Sequence, residues 1–290
     1  MKQQKIANVE IAKSPGSSVW NMPSDHTGWR FRLLGLERLL SLALLVLVVV
    51  GWELTAAYLI RPVWISSPSL VLRRLMVTLA DGSLARDATR TMQEALAGLV
   101  VGVFLGAMVG VLLARVRLIA RVLDPYLMGL NSLPRVALAP FFIIWFGLGL
   151  ASKIALVITI VFFVAMLNVR QGMEAIDQDL IDSVRAMGAD RLEMIRYVTI
   201  PSLLPWIVSA VKISIGMALI GAVIGEMIGA EFGLGWLVTT SLLMFDMTGA
   251  MTALLVMALM AVVMYTAVNL VERRLFRWRT GTTGIRTVSM

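Results

Sequence analysis

The chain has 290 residues, 59% of them hydrophobic and 15% charged, where an ordinary globular protein carries about 25% charge. Much of its surface therefore faces something other than water. The absence of cysteine excludes disulfides, thiolate metal sites and cysteine nucleophiles, and the single histidine, His26, cannot build a metal centre alone. The net charge of +8 does not signal nucleic acid, because the basic residues gather in tails and turns that flank apolar runs.

Residues 1–35 are polar, with Ser-Pro-Gly at 14–16 and neither the apolar core nor the cleavage site of a signal peptide; they predict a cytoplasmic, partly disordered leader. Residues 36–61 read as a first transmembrane helix with its apolar run at 39–60, interrupted only by Glu53. Residues 62–86 read as an external amphipathic segment. There Leu70, Val71, Leu75, Val77 and Leu79 beside Arg73 and Arg74 fit a helix lying on a membrane surface.

Residues 87–272 read as a core with five more spans. The run 95–114 has no charge over about 20 residues, enough to cross about 30 Å of hydrocarbon. The run 122–146 contains Pro125, Pro134, Arg135 and Pro140 and is expected to be kinked or broken. The run 154–169 is short but can borrow Ala151 and a snorkelling Lys153. The last two are 200–225, with Lys212 inside it, and the uncharged 247–271. A further stretch, 232–245, opens with Gly-Leu-Gly and is too short to span, so it reads as re-entrant or interfacial. Residues 273–290 form a basic tail. The fold class is thus all-α, a polytopic membrane helical bundle with about six transmembrane helices.

Six spans put both termini on one side. Six basic residues up to Arg38, three in 115–121, four in 170–196 and five after 272 mark that side as cytoplasmic, against one in 147–153 and none in 226–246. The four arginines of 61–86 are the exception.

Gly98, Gly102, Gly106 and Gly110 recur every four residues, a smooth stripe for close helix packing within the subunit or between two copies. Gly221, Gly225 and Gly229 repeat the spacing. A solute path needs polar residues inside the bundle, which are costly there unless they face a cavity or partner. Candidates are Asn131, Ser132, Arg135, Lys212 and Glu226, with Glu94 and Asn168 as further polar groups. Arg135, beside Pro134 in a broken span, is the best placed to meet an anion. Lys212 and Glu226 also read as a structural ion pair or as interfacial groups.

The loop 171–197 is polar but patterned. Ile176, Leu180, Val184 and Met187 fall at helical spacing, Gly188 interrupts, and a short helix around 190–196 leads to Pro201, which suits a first helical turn. Gly188 marks either a turn or a close backbone approach. The loop reads as a solvated connecting helix or as a docking helix for a cytoplasmic partner.

Asp182, Gly188 six places on, and Val198-Thr199-Ile200-Pro201, with the proline thirteen after the glycine, resemble the E-A-A-x3-G-x9-I-x-L-P loop of permease subunits of bacterial ATP-binding-cassette importers. Asp182 stands for the Glu, Ser183 and Val184 for the alanines, Val198 and Ile200 for Ile and Leu. The stretches LDPYLMGLNSLPRVALAPFFIIWFGLG, 123–149, and GEMIGAEFGLGWLV, 225–238, are similar to the branch importing nitrate, sulfonates, taurine, bicarbonate and related small solutes. The resemblance covers roughly 60–280 and implies a type I importer fold in the bacterial inner membrane. It implies that Asp182, Ser183, Val184, Arg185, Gly188, Val198, Ile200 and Pro201 belong to an ATPase-coupling element, with 176–196 as the coupling helix. It also implies a second permease copy, two cytoplasmic ATPase subunits that use ATP and Mg, and a periplasmic or lipid-anchored solute-binding protein. The chain has no G-x4-G-K-[ST] loop, so it is read as a transport subunit that binds no cofactor, not an enzyme. The competing readings are a self-sufficient channel or secondary transporter, and an intramembrane enzyme. The enzyme would need a nucleophile with a base or a metal cluster, and nothing in the sequence brings Glu94 and Glu226 together as a carboxylate pair.

Overall fold

The computed structural model describes residues 27–58 and 64–276, with side chains from 39 onward. Helices α1 (Thr27–Tyr58), α2 (Pro68–Ala80), α3 (Ser83–Arg115), α4 (Arg117–Ser132), α5 (Ala139–Phe146) and α6 (Leu150–Glu174) are followed by α7 (Gln178–Ala186), α8 (Arg191–Met194), α9 (Ile200–Gly229), α10 (Leu234–Leu243) and α11 (Met247–Leu275). No strand occurs among the described residues. Among the described residues, five helical segments are long and apolar enough to cross a membrane, and α4 with α5 makes a sixth if their bent pair is one span. α1 takes in residues 27–35, which the sequence assigned to the leader; residues 1–26, with His26, and the tail from 277 lie outside the described residues.

The described residues fall into two units that part at Gly51, within α1. The first carries the apolar run of α1 up to that point. In the second, Glu53 gains a reason to interrupt an apolar run: its carboxylate accepts from Ser69 N (3.0 Å) and Ser69 Oγ (2.7 Å), at the start of α2. Ser67 caps α2 by accepting from Leu70 N, and Pro68 takes the first turn, where a missing N–H is harmless. Val71 is buried, and α2 packs on α3 and α11. Gly82, at φ +77°, makes the turn into α3.

α3, α6 and α9 form the core. Their facing surfaces use small or β-branched side chains, with Ala95, Val157, Val161, Ala165, Ala218 and Ala222 fully buried. The α3 glycine stripe lies against α6 of the same chain: a Cβ on Gly102 would stand 2.9 Å from Val161 Cβ, and one on Gly110 2.6 Å from Met166 O. Gly98 faces Val157 and Gly106 faces Phe162 and Ala165 in the same way. In lipid, where burial of apolar surface between helices gains little, backbone proximity of this kind supplies the dispersion energy that holds helices together.

The proline-rich run is broken, as its composition predicts. α4 ends at Ser132, a 3₁₀ turn covers Arg135–Leu138, and α5 departs at 85° to α4. Pro134 forces extended backbone on Leu133, and Pro140 is accommodated in the first turn of α5. Lys153 departs from the sequence reading: it is 1% exposed rather than snorkelling, because its Nζ donates to the carbonyls of Leu148 and Gly229.

Candidate coupling loop and solute path

The polar loop folds as two short helices about a glycine turn. Asp177 caps α7 by accepting from Asp179 N (2.9 Å). At its other end Gly188 adopts φ +86°, with Gly188 N donating to Arg185 O (3.0 Å) and Ala189 N to Val184 O (3.4 Å). These two bonds satisfy carbonyls that the helix end leaves free, in the pattern a left-handed residue makes possible. Nothing lies within 4 Å of where a Gly188 Cβ would be, so the turn, not a close approach, requires glycine. Asp190 and Glu193 then form a reciprocal capping box at the start of α8.

The next turn, Ile195–Thr199, is a π-helix that runs directly into α9. Pro201 lacks the N–H that would bond one turn back, and the wider turn absorbs the mismatch. The short helix expected at 190–196 is therefore continuous with the following span, not a separate element. Val198 and Thr199 are buried, and Arg115 Nη2 donates to Thr199 Oγ1 (3.0 Å), tying the end of α3 to this turn. Ile200 is exposed and Pro201 half-buried. Asp182 and Arg185 form an exposed 3.4 Å ion pair, and Ser183 Oγ donates to Asp179 O. Leu180, Met187 and Leu192 are also exposed, so this charged loop presents an apolar surface to whatever covers it.

At the bend between α4 and α5, Arg135 Nη2 donates to Asn131 O (3.2 Å) and to Asn131 Oδ1, and the guanidinium sits 4.7 Å from the centre of the Phe163 ring. Ser132 Oγ donates to Met128 O (2.9 Å). Lys212 bonds Glu272 Oε2 at 2.6 Å, so its ion pair joins α9 to α11 and does not involve Glu226.

Glu226 belongs instead to a buried cluster at the opposite end of the bundle from the loop. α10 has no side-chain cap of its own. Its leading N–H groups are taken from outside: Gly233 N donates to Asp87 Oδ1 (3.2 Å), Leu234 N to Thr91 Oγ1 (2.9 Å) and Gly235 N to Glu226 Oε2 (2.7 Å). Thr91 Oγ1 donates to Glu226 Oε1 (2.7 Å). Asp87, Thr91 and Glu94 share one face of α3, and Glu94 and Glu226 lie close enough to interact electrostatically. Lys153 supplies the opposite charge beside both. The structure thus joins a carboxylate pair that sequence spacing left apart. It also makes Glu226, at 1% exposed, an anchor of α10 rather than the wall of an open path.

The family described as "binding-protein-dependent transport system inner membrane component" matches residues 98–279. The chain belongs to that family. It is 33% identical to the riboflavin transport system permease of Chloroflexus aurantiacus over 81% of this chain and 88% of that protein. It is 27% identical to the formylaminopyrimidine transport permease of Halalkalibacterium halodurans, over 82% and 95%. It is 26% identical to the taurine transport system permease of Escherichia coli, over 86% and 93%. A chain of the inward-facing MetNI methionine ABC transporter shares the fold at a TM-score of 0.59 and 23% identity, covering 66% of this chain and 95% of that one. The protein is a multi-pass permease subunit of an ABC importer.

In this permease the loop residues named from sequence are contiguous in space, whereas the path residues are not. Asn131, Ser132 and Arg135 sit at the bend, Lys212 in the α9–α11 pair and Glu226 beneath α10. Sequence reasoning passed over Asp87, Thr91 and Arg115. The first two lie four residues apart and just ahead of Glu94, a spacing that places polar groups on one helical face.

Proposed function

We propose that the permease works as a pair of identical copies, each coupled through residues 176–201 to a cytoplasmic ATPase, with both termini cytoplasmic and a separate binding protein delivering solute from outside. The observation that carries this is the Gly188 turn: two capped helices project exposed Leu180, Met187 and Leu192 from a charged loop joined without a break to α9. A solvated connector has no need of exposed apolar groups at such a turn, whereas a helix seated in a partner's cleft does. ATP binding closes the two ATPases and draws the coupling helices together, which opens the cavity outward; hydrolysis and product release reset it inward. ATP and Mg belong to the partner.

The solute is a small anion of the sulfonate or taurine kind. Arg135 at the broken span, and relatives named for taurine and aliphatic sulfonates, support this reading. The relatives named for riboflavin and formylaminopyrimidine favour a second reading, a neutral heterocycle. Affinity purification of the tagged chain from its native membrane tests the assembly. Recovery of an ATPase at near equal stoichiometry, lost when 176–196 is altered, supports it. A lone oligomer that moves solute in liposomes without ATP overturns it in favour of a secondary transporter. Uptake assays with an aliphatic sulfonate and with riboflavin separate the two solute readings.

A further inference from the structure

Residues 61–86 carry four arginines against one acid, Asp81, on the side of the bundle away from the loop 171–197, where basic residues are otherwise scarce. Three contacts place the start of α2. Trp52 Nε1 donates to Ser66 O (2.7 Å), the hydroxyls of Ser66 and Thr248 share a hydrogen bond (2.9 Å), and Glu53 accepts from Ser69. Trp52 and Glu53 lie in the last two turns of α1, and Thr248 is the second residue of α11. α2 therefore begins where two apolar spans end, at the edge of the hydrocarbon. It turns Val71, Leu75 and Thr78 inward. The neighbouring stripe, Leu72, Met76 and Leu79, is 48%, 68% and 52% exposed, and Trp64 just ahead of the helix is exposed too. Arg73 borders that stripe and makes no ion pair or hydrogen bond among the described residues, whereas Arg74, on the other flank, reaches Asp246 at 3.4 Å.

We propose that α2 is a binding site for anionic phospholipid in the leaflet that meets this end of the bundle. Leu72, Met76 and Leu79 enter the upper acyl layer, and the Arg73 guanidinium holds a lipid phosphate above them. An arginine beside exposed apolar side chains at this depth meets lipid before any water-soluble partner. The headgroup class follows from what surrounds Arg73. Phosphatidylcholine and phosphatidylethanolamine bring a cation with the phosphate, and among the described residues no carboxylate stands within ion-pair distance of Arg73 to receive it. Phosphatidylglycerol brings the phosphate without the cation, which leaves the attraction undiminished. The importer reading sets only which leaflet this is; the site itself does not rest on it.

The chain has no cysteine, so Met76→Cys carries a single bimane label, with the full-length chain in nanodiscs of phosphatidylcholine and phosphatidylglycerol. A nitroxide quencher is placed near the top of the acyl chain on trace amounts of one lipid or the other. The phosphatidylglycerol quencher should act about fivefold more strongly than the phosphatidylcholine quencher. Arg73→Gln should bring the two level, and Arg73→Lys, which keeps the charge, should keep the preference. Water-like emission that neither lipid quenches would overturn the site and assign the flank to a protein partner. Equal quenching by both lipids before the substitution, or a preference that survives Arg73→Gln, would show that the helix does not select anionic lipid and would overturn the proposal too. ATPase recovery, read on the same labelled chains, reports on the importer reading alone.

Discussion

Arg115 and Thr199 are joined by a 3.0 Å hydrogen bond that ties the end of α3 to the π-helical turn between the loop 176–194 and α9. Thr199 is buried while Arg115 remains exposed, so the bond reaches from the surface into the helix junction and is worth about 1 kcal/mol. Motion of the loop must therefore move α3 and α9 together or break this contact. Arg115→Met keeps the apolar stem and removes the donor. It should leave ATPase recovery near wild type while solute uptake per ATP hydrolysed falls several-fold, measured in proteoliposomes.

Gly188 is required by its backbone angle alone, because the space around it is empty. A left-handed conformation costs most L-residues about 1–2 kcal/mol, less for asparagine and more for β-branched side chains. Gly188→Asn should therefore retain most ATPase recovery and Gly188→Val should lose it, with both chains still inserted in the membrane. Equal behaviour of the two variants would show that the turn geometry is not what the partner reads.

The glycine stripe makes the opposite demand, on space. At Gly102 a new methyl group would sit 2.9 Å from Val161 Cβ, with helix backbone behind it. Gly102→Ala should destabilise the α3–α6 pair by about 1–3 kcal/mol, the range for overpacking a filled core. Val161→Ala in the same chain should recover part of that loss, read as the midpoint of thermal unfolding in detergent. If the double variant is no better than Gly102→Ala, the crowding is not at Val161.

Thr91 is fully buried and accepts from Leu234 N while donating to Glu226. Thr91→Val preserves shape and leaves a buried N–H without a partner, which costs about 1–3 kcal/mol. Because α10 has no cap of its own, the loss should be local: hydrogen exchange at Leu234 and Gly235 should speed by roughly tenfold or more, with exchange across α6 unchanged.

The number of spans, the break at Pro134 and Pro140, and the turn at Gly188 were legible in the sequence. Each follows from a property that acts within one turn of chain: apolar length against bilayer thickness, a missing N–H, a missing Cβ. The fold of the loop 176–201 was legible for the same reason, since all its residues are close in sequence. What only the tertiary structure decided is who meets whom across helices. Lys212 and Glu226 share α9 and stand fourteen residues, about 21 Å, apart along it, too far to pair, and Lys212 bonds Glu272 because α11 packs against that face of α9. Lys153 looked like a snorkelling end group, yet it is buried because two orphan carbonyls at the close of α9 and before α6 converge on it. Glu94 and Glu226 stand 132 positions apart in the chain, so no local periodicity could pair them. Packing of α3 against α9 through small residues brings them into one buried cluster, and burial in a low-dielectric interior is what makes their partners matter.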